Sequence, residues 1–292
     1  MERERASSRA GWYRFTIRSP AGHICAAALA TLALLGAAPA SAATGIVAIG
    51  DFGVGGDRQR HTGAAVERFA DRRQVDALVT LGDNDYTESP ARFRANWLGS
   101  FGWVAADGLL VAGTLGNHDI RVDRGRYEFE LLRMPKRFYV RRLGDVQLFL
   151  LDSNRLGDVQ LRWLDSALAS SDALWKVVAM HHPAYSCGGY LGTPRVRERL
   201  VPLFANHGVD LVLAGHDHNY QRFAERGGVT YVVHGGGGAG LYPLRGCPSS
   251  FPRRVERRKT HGWLYLRAST DRLRVRAIAR GGTVLDRFTI YP

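Results

Sequence analysis

The stretch Ala214-Gly215-His216-Asp217-His218-Asn219 follows the apolar run Val209-Asp210-Leu211-Val212-Leu213. A strand ending in such a turn delivers its loop outward, and two histidines one residue apart bring both imidazoles into one crevice. Near pH 7 an unperturbed imidazole is largely neutral and keeps a lone pair for a metal ion. A polar surface loop has the same composition, so the rest of the chain must decide.

Four more apolar runs end in the same way. Residues 46–49 lead to Asp51-Phe52-Gly53, and 77–81 to Gly82-Asp83-Asn84-Asp85-Tyr86. Residues 109–115 lead to Gly116-Asn117-His118-Asp119, and 177–180 to His181-His182-Pro183. Helical composition or spacing fills the intervals at 64–72, 91–98, 158–170 and 196–204. A hairpin is expected at 138–142 and 146–151, turning at Gly144-Asp145. Further strands are expected at 229–233, 263–268, 273–278 and 283–290. This alternation predicts an α/β layered domain. Asp51, Asp83, Asn117, His181 and His216 each stand at or just past the carboxyl end of a strand, where open α/β sheets gather ligands. Singly, each is as well read as a cap or a turn residue. Five in register, joined by His218, point to one shared site. Carboxylates, an amide oxygen and imidazoles without cysteine suit iron, manganese or zinc.

The chain has 292 residues, 45% of them hydrophobic, enough for one large core with no internal repeat. Residues 1–42 differ from the rest: five arginines, an Ala/Leu-rich run, then Ala40-Ser41-Ala42. That is the pattern of a signal peptide cleaved after Ala42, leaving a catalytic domain of residues 43–292. The expectation is an exported protein, secreted, periplasmic or at the cell surface, with no membrane span in the mature chain. Losing five arginines and two glutamates lowers the formal charge from +13 to +10. Such a charge attracts anions such as phosphate esters. No aromatic ladder interleaves with the arginines, so no nucleic-acid module is expected. The densest basic cluster, Arg253, Arg254, Arg257, Arg258 and Lys259, reads as an exposed loop, and Gly235-Gly236-Gly237-Gly238 as flexible backbone. Cys25 leaves with the leader, and Cys187 and Cys247 are expected to pair in an oxidising compartment. The oligomeric state is not legible.

The five strand-end segments, in order, resemble the motifs of the calcineurin-like metallophosphoesterases over nearly the whole mature chain. Within that superfamily the chain resembles the small, single-domain purple acid phosphatases of the tartrate-resistant type. Most members carry a histidine ligand where this chain has Gly53, and Tyr86 stands where the purple branch supplies a phenolate. The resemblance implies a layered β-sandwich flanked by helices. It implies one metal held by Asp51, Tyr86 and His218, a second held by Asn117, His181 and His216, and Asp83 bridging them. Phenolate favours Fe³⁺ at the first position, with Fe²⁺, Zn²⁺ or Mn²⁺ at the second.

The implied activity is hydrolysis of phosphate monoesters on a small phosphorylated substrate. A metal-bound hydroxide attacks phosphorus directly, with no phosphoenzyme. His118 is then expected to stabilise the phosphoryl oxygens or protonate the leaving alkoxide, with Asp119 orienting it. Tyr190 occupies a position where family members often have a second histidine. A phenol of ordinary pKa about 10 is a poorer acid, which puts the acidic optimum in doubt. His182 reads as a packing neighbour, and His61, His207, His234 and His261 as structural histidines without motif support. His234, ahead of a glycine run that could border the cleft, is the first candidate for an exception. A phosphodiesterase or nucleotidase with the same metals is the enzymatic alternative, and a non-catalytic metal-dependent binding protein the alternative of another class.

Overall fold

Apolar strands buried along their whole length need cover on both faces, and two stacked sheets with outer helices supply it. The computed structural model describes residues 43–292, and the expected signal peptide, 1–42, lies outside the described residues. The strands are β1 (Thr44–Ile49), β2 (Ala77–Thr80), β3 (Leu110–Ala112), β4 (Tyr139–Leu143), β5 (Val146–Leu150), β6 (Trp175–Met180) and β7 (Leu211–Ala214). They continue as β8 (Tyr220–Phe223), β9 (Thr230–His234), β10 (Arg254–Arg258), β11 (Gly262–Ala268), β12 (Leu273–Ala279) and β13 (Val284–Ile290). The helices are α1 (Gly56–Ala70), α2 (Pro90–Ala106), α3 (Arg126–Leu131), α4 (Asp158–Ala169) and α5 (Pro194–Asn206).

One sheet has the order β13-β12-β11-β1-β2-β3, the other β10-β8-β9-β7-β6-β5-β4. Their central strands are parallel, β1 with β2 and β3, and β5 with β6, β7 and β9. All these strands therefore deliver their loops to the same ends. Leu148, Val177, Ala179, Leu211 and Leu213 turn inward to meet Ile46, Val79, Leu264 and Val275 of the other sheet. On the outer face Val178, Met180 and Val212 pack against Leu164, Leu168, Leu200 and Phe204 of α4 and α5. α5 opens with a proline in its first turn, where the missing N–H costs nothing. Among the described residues no helix is long and apolar enough to cross a membrane.

Two expectations are corrected. α1 begins at Gly56, eight residues before the expected start, because Gln59, Thr62 and Gly63 fill its buried stripe and leave no apolar period. The basic cluster expected as an exposed loop is in large part β10, an edge strand paired antiparallel with β8. Arg254 anchors it, its Nη1 donating to the carbonyl of Cys187 at 2.7 Å and to Gln221 Oε1 at 3.1 Å. Charge along an edge strand also discourages pairing with another chain.

Candidate metal centre

Asp51, Asp83 and His216 have φ values of 58°, 51° and 70°. This left-handed backbone costs an L-residue roughly 1–2 kcal/mol, and such strain gathers where the surroundings dictate a side chain's aim. Gly116 makes room for one of these aims, since a Cβ there would lie 2.1 Å from Asp83 Oδ1. Gly53 is pressed as closely on Asn84, where a Cβ would lie 2.1 Å from the carbonyl carbon. A histidine at position 53 has no room on this backbone.

The seven expected ligands converge. Tyr86 Oη lies 3.2 Å from His218 Nε2 and 3.4 Å from Asp51 Oδ1. His181 Nε2 lies 3.0 Å from Asn117 Oδ1 and 3.1 Å from His216 Nδ1. Asp83 sits between the two groups: its carboxylate, that of Asp51 and a nitrogen of His181 all lie within 4.8 Å of one another. Asp51 and Asp83 are buried, and among the described residues the partners near them in charge are imidazoles rather than Lys or Arg.

The proton positions show what this arrangement can take. His181 Nδ1 donates to the carbonyl of Leu81 at 2.9 Å, and His218 Nδ1 to that of Gly240 at 2.7 Å. A carbonyl only accepts, so in each neutral ring Nε2 is left as a lone pair. His181 Nε2 therefore faces Asn117 Oδ1 acceptor to acceptor. Lone pairs brought together in this way suit a cation between them, and the donor set fits one. Burial pushes the His216 imidazole down to about 2, helped by His181 and His182, and burial also drives His181 well below its ordinary value. Burial raises the Asp51 carboxyl to about 7, with a bond from His218 opposing and the charge of Asp83 adding to the rise. The Tyr86 phenol is driven far up by burial and by both carboxylates.

His118 stands over this cluster, half-buried, its backbone N–H held by Asp83 Oδ1 at 2.9 Å and its ring 4.2 Å from that of Tyr86. Burial lowers its pKa, with Asp83 opposing. Asp119 does not reach this imidazole as expected. Its buried carboxylate accepts from the backbone N–H groups of Asn84, Asp85 and Gly116 and from Asn84 Nδ2, all at 2.7–3.0 Å. The side chain beside His118 is instead Arg121, whose Nη2 lies 3.4 Å from Nε2.

Tyr190 is 44% exposed and its ring stacks on His216 at 4.3 Å. His182, read from the sequence as a packing neighbour, groups with His181 and His216, and its Nδ1 lies 2.9 Å from Ser153 Oγ. One residue escaped the sequence reading. Tyr242 stacks on His218 at 4.0 Å, and no sequence pattern marked it. His234 is fully buried, a structural histidine, with neither ring nitrogen partnered among the described residues. The glycine run after it is packed, not loose: a Cβ on Gly235 would lie 2.5 Å from the carbonyl oxygen of Asp217 and 2.8 Å from Asp51 Oδ2.

Two sheets that bring acidic, amide, phenolic and imidazole groups together at strand ends define the metallophosphoesterase class. The chain belongs to the calcineurin-like phosphoesterase family, whose model matches residues 44–220. Purple acid phosphatase 17 of Arabidopsis thaliana is 26% identical over 228 residues, covering 66% of this chain and 68% of that one. Human tartrate-resistant acid phosphatase type 5 is 39% identical over 70 residues, 24% of this chain and 22% of that one. Among solved structures, the purple acid phosphatase PPD1 of yellow lupin superposes with a TM-score of 0.73 at 20% identity, over 86% of this chain. The match spans about half of the lupin chain, 54%. GAP50, the anchor in the inner membrane complex of Plasmodium, superposes with a TM-score of 0.72 at 18% identity, over 85% of this chain and 89% of that one. These two likenesses concern the fold, which hosts unlike functions. The relatives and the family mark the chain as a phosphatase-type hydrolase of phosphoric esters.

Proposed function

We propose that this chain is an exported phosphomonoesterase with two metal ions. Asp51, Tyr86 and His218 would hold one, Asn117, His181 and His216 the other, and Asp83 would be shared. The observation that carries the reading is the acceptor-to-acceptor approach of His181 Nε2 and Asn117 Oδ1 at 3.0 Å. Two such ions would supply Lewis acidity toward a phosphate oxygen and water acidified to near-neutral pKa. Burial, and after it the carboxylates of Asp51 and Asp83, push the Tyr86 phenol so far up that only a strongly polarising cation leaves it ionised. This favours ferric iron at that position.

His118 meets the substrate from above Tyr86. Fixed through its backbone to Asp83, it donates to a phosphoryl oxygen or to the departing alkoxide. Tyr190 Oη offers a second donor on the side of His216. The leader-like residues 1–42 and the disulfide between Cys187 and Cys247 support an oxidising, exported location.

Metal analysis with a visible spectrum tests the assignment. The protein should contain iron and show a phenolate-to-iron band that Tyr86→Phe abolishes; a band unchanged in that variant removes Tyr86 from the site. Hydrolysis of a monoester and a diester model compound, measured side by side, should favour the monoester. The reverse preference selects the phosphodiesterase reading.

A further inference from the structure

Away from the metal centre, a groove of about 310 Å³ runs between α1 and the β11–β12 face. Arg68, Arg72 and Arg73 line one wall, Arg276 and Arg280 the other, and Trp263 lies between them. No acidic side chain lines it. Among the described residues, none of these five arginines is within ion-pairing distance of a carboxylate. Trp263 Nε1 and Arg280 Nη1 are both buried and have no protein acceptor. A buried donor left unpaired is costly, and more so when it is charged. The carboxyl end of α1 explains Arg68, which sits in its last turn. It does not explain Arg276 and Arg280, which come from β12 and the turn beyond it.

We propose that this groove is a second anion site, built for a compact cluster of phosphate groups such as an oligophosphate or a multiply phosphorylated headgroup. Guanidinium forks match phosphate oxygens in pairs, and five of them around one groove call for an anion carrying several charges in little volume. The concave, partly apolar wall concentrates the field of the arginines on that volume. None of the lining residues belongs to the metal centre, so binding here is separable from hydrolysis.

Calorimetry with inorganic tripolyphosphate on the metal-loaded protein tests this. Wild type should show a binding event beyond that of the metal centre, and Arg72→Ala/Arg276→Ala should weaken it about tenfold or more. Both positions are exposed, and monoester hydrolysis in the double variant should match wild type, certifying the fold. Phosphatidylcholine vesicles carrying a phosphatidylinositol bisphosphate separate the two sources. Vesicle retention that is lost in the double variant assigns a membrane headgroup. Tripolyphosphate binding without vesicle retention assigns a free anion. Tripolyphosphate affinity unchanged in the double variant overturns the proposal.

Discussion

Asp119 and Tyr190 are the two site residues whose sequence reading most needed coordinates. Asp119 gathers four N–H donors from the loops that carry Asp83, Tyr86 and Asn117, so its work is to hold those loops. Asp119→Ala strands those buried donors and should cost about 3–5 kcal/mol of stability in denaturant titration. Metal content should fall with it, while the pH profile of the fraction that stays loaded keeps its shape. A residue orienting His118 would instead shift that profile. Tyr190 lies flat on His216, where a ring of either kind stacks. Tyr190→His should therefore be accommodated, and an imidazolium is a stronger acid than a phenol by about 3.5 pKa units. The ratio of kcat at pH 5 to kcat at pH 7 should rise about five- to tenfold. An unchanged ratio means that the Tyr190 side chain only packs.

At the scale of elements, the disulfide joins the loop after β6 to the loop after β9. The first loop carries Tyr190 and the second Tyr242, each stacked on one histidine of the His-x-His turn. Below them, Asp217 accepts from Ser186 Oγ and, at 3.0 Å, from the Gly189 N–H, while Gln221 Oε1 accepts from the Cys187 N–H at 2.8 Å. Across a sequence separation of 60, the chain-entropy model assigns the cross-link about 4 kcal/mol. Cys247→Ser should lower the unfolding midpoint accordingly and raise KM several-fold, because both tyrosines lose their tether. A stability loss with KM unchanged would show that the buried hydrogen bonds alone hold the loops. The central parallel strands and six of the converging side chains were legible in the sequence, because buried apolar runs ending in chemically distinctive residues form a local pattern; Tyr86 was marked only by the family resemblance. β10, Tyr242 and the orientation of Asp119 were not legible. β10 exists through its pairing with β8, and Tyr242 through stacking on a loop 24 residues away in sequence. The aim of Asp119 is set by a neighbouring strand's loop, and none of these contacts leaves a periodic trace.

Across the whole molecule, burial keeps acids and bases neutral at once, and their pH effects oppose each other. His234 is fully buried and pushed down to about 4 by that burial, from 6.5. Between those values the unfolded chain takes a proton that the folded chain refuses, so stability is lost as pH falls from about 6.5 through 4. Glu128 is raised from 4.5 to about 7, mainly by burial and with the charge of Asp85 adding to the rise. Here the folded form holds the extra proton, so stability is lost as pH climbs from 4.5 through about 7. Each shift corresponds to a change on the order of 3 kcal/mol across its window. The wild-type profile should thus be flatter than either group alone dictates, and single variants should tilt it in opposite directions. Relative to wild type, His234→Gln should gain stability as pH drops from 7 to 4, and Glu128→Gln should gain as pH rises from 4.5 to 7. Chemical denaturation of the metal-loaded proteins at several pH values reads both slopes. Parallel stability curves for the two variants would mean that neither residue is buried as a neutral group.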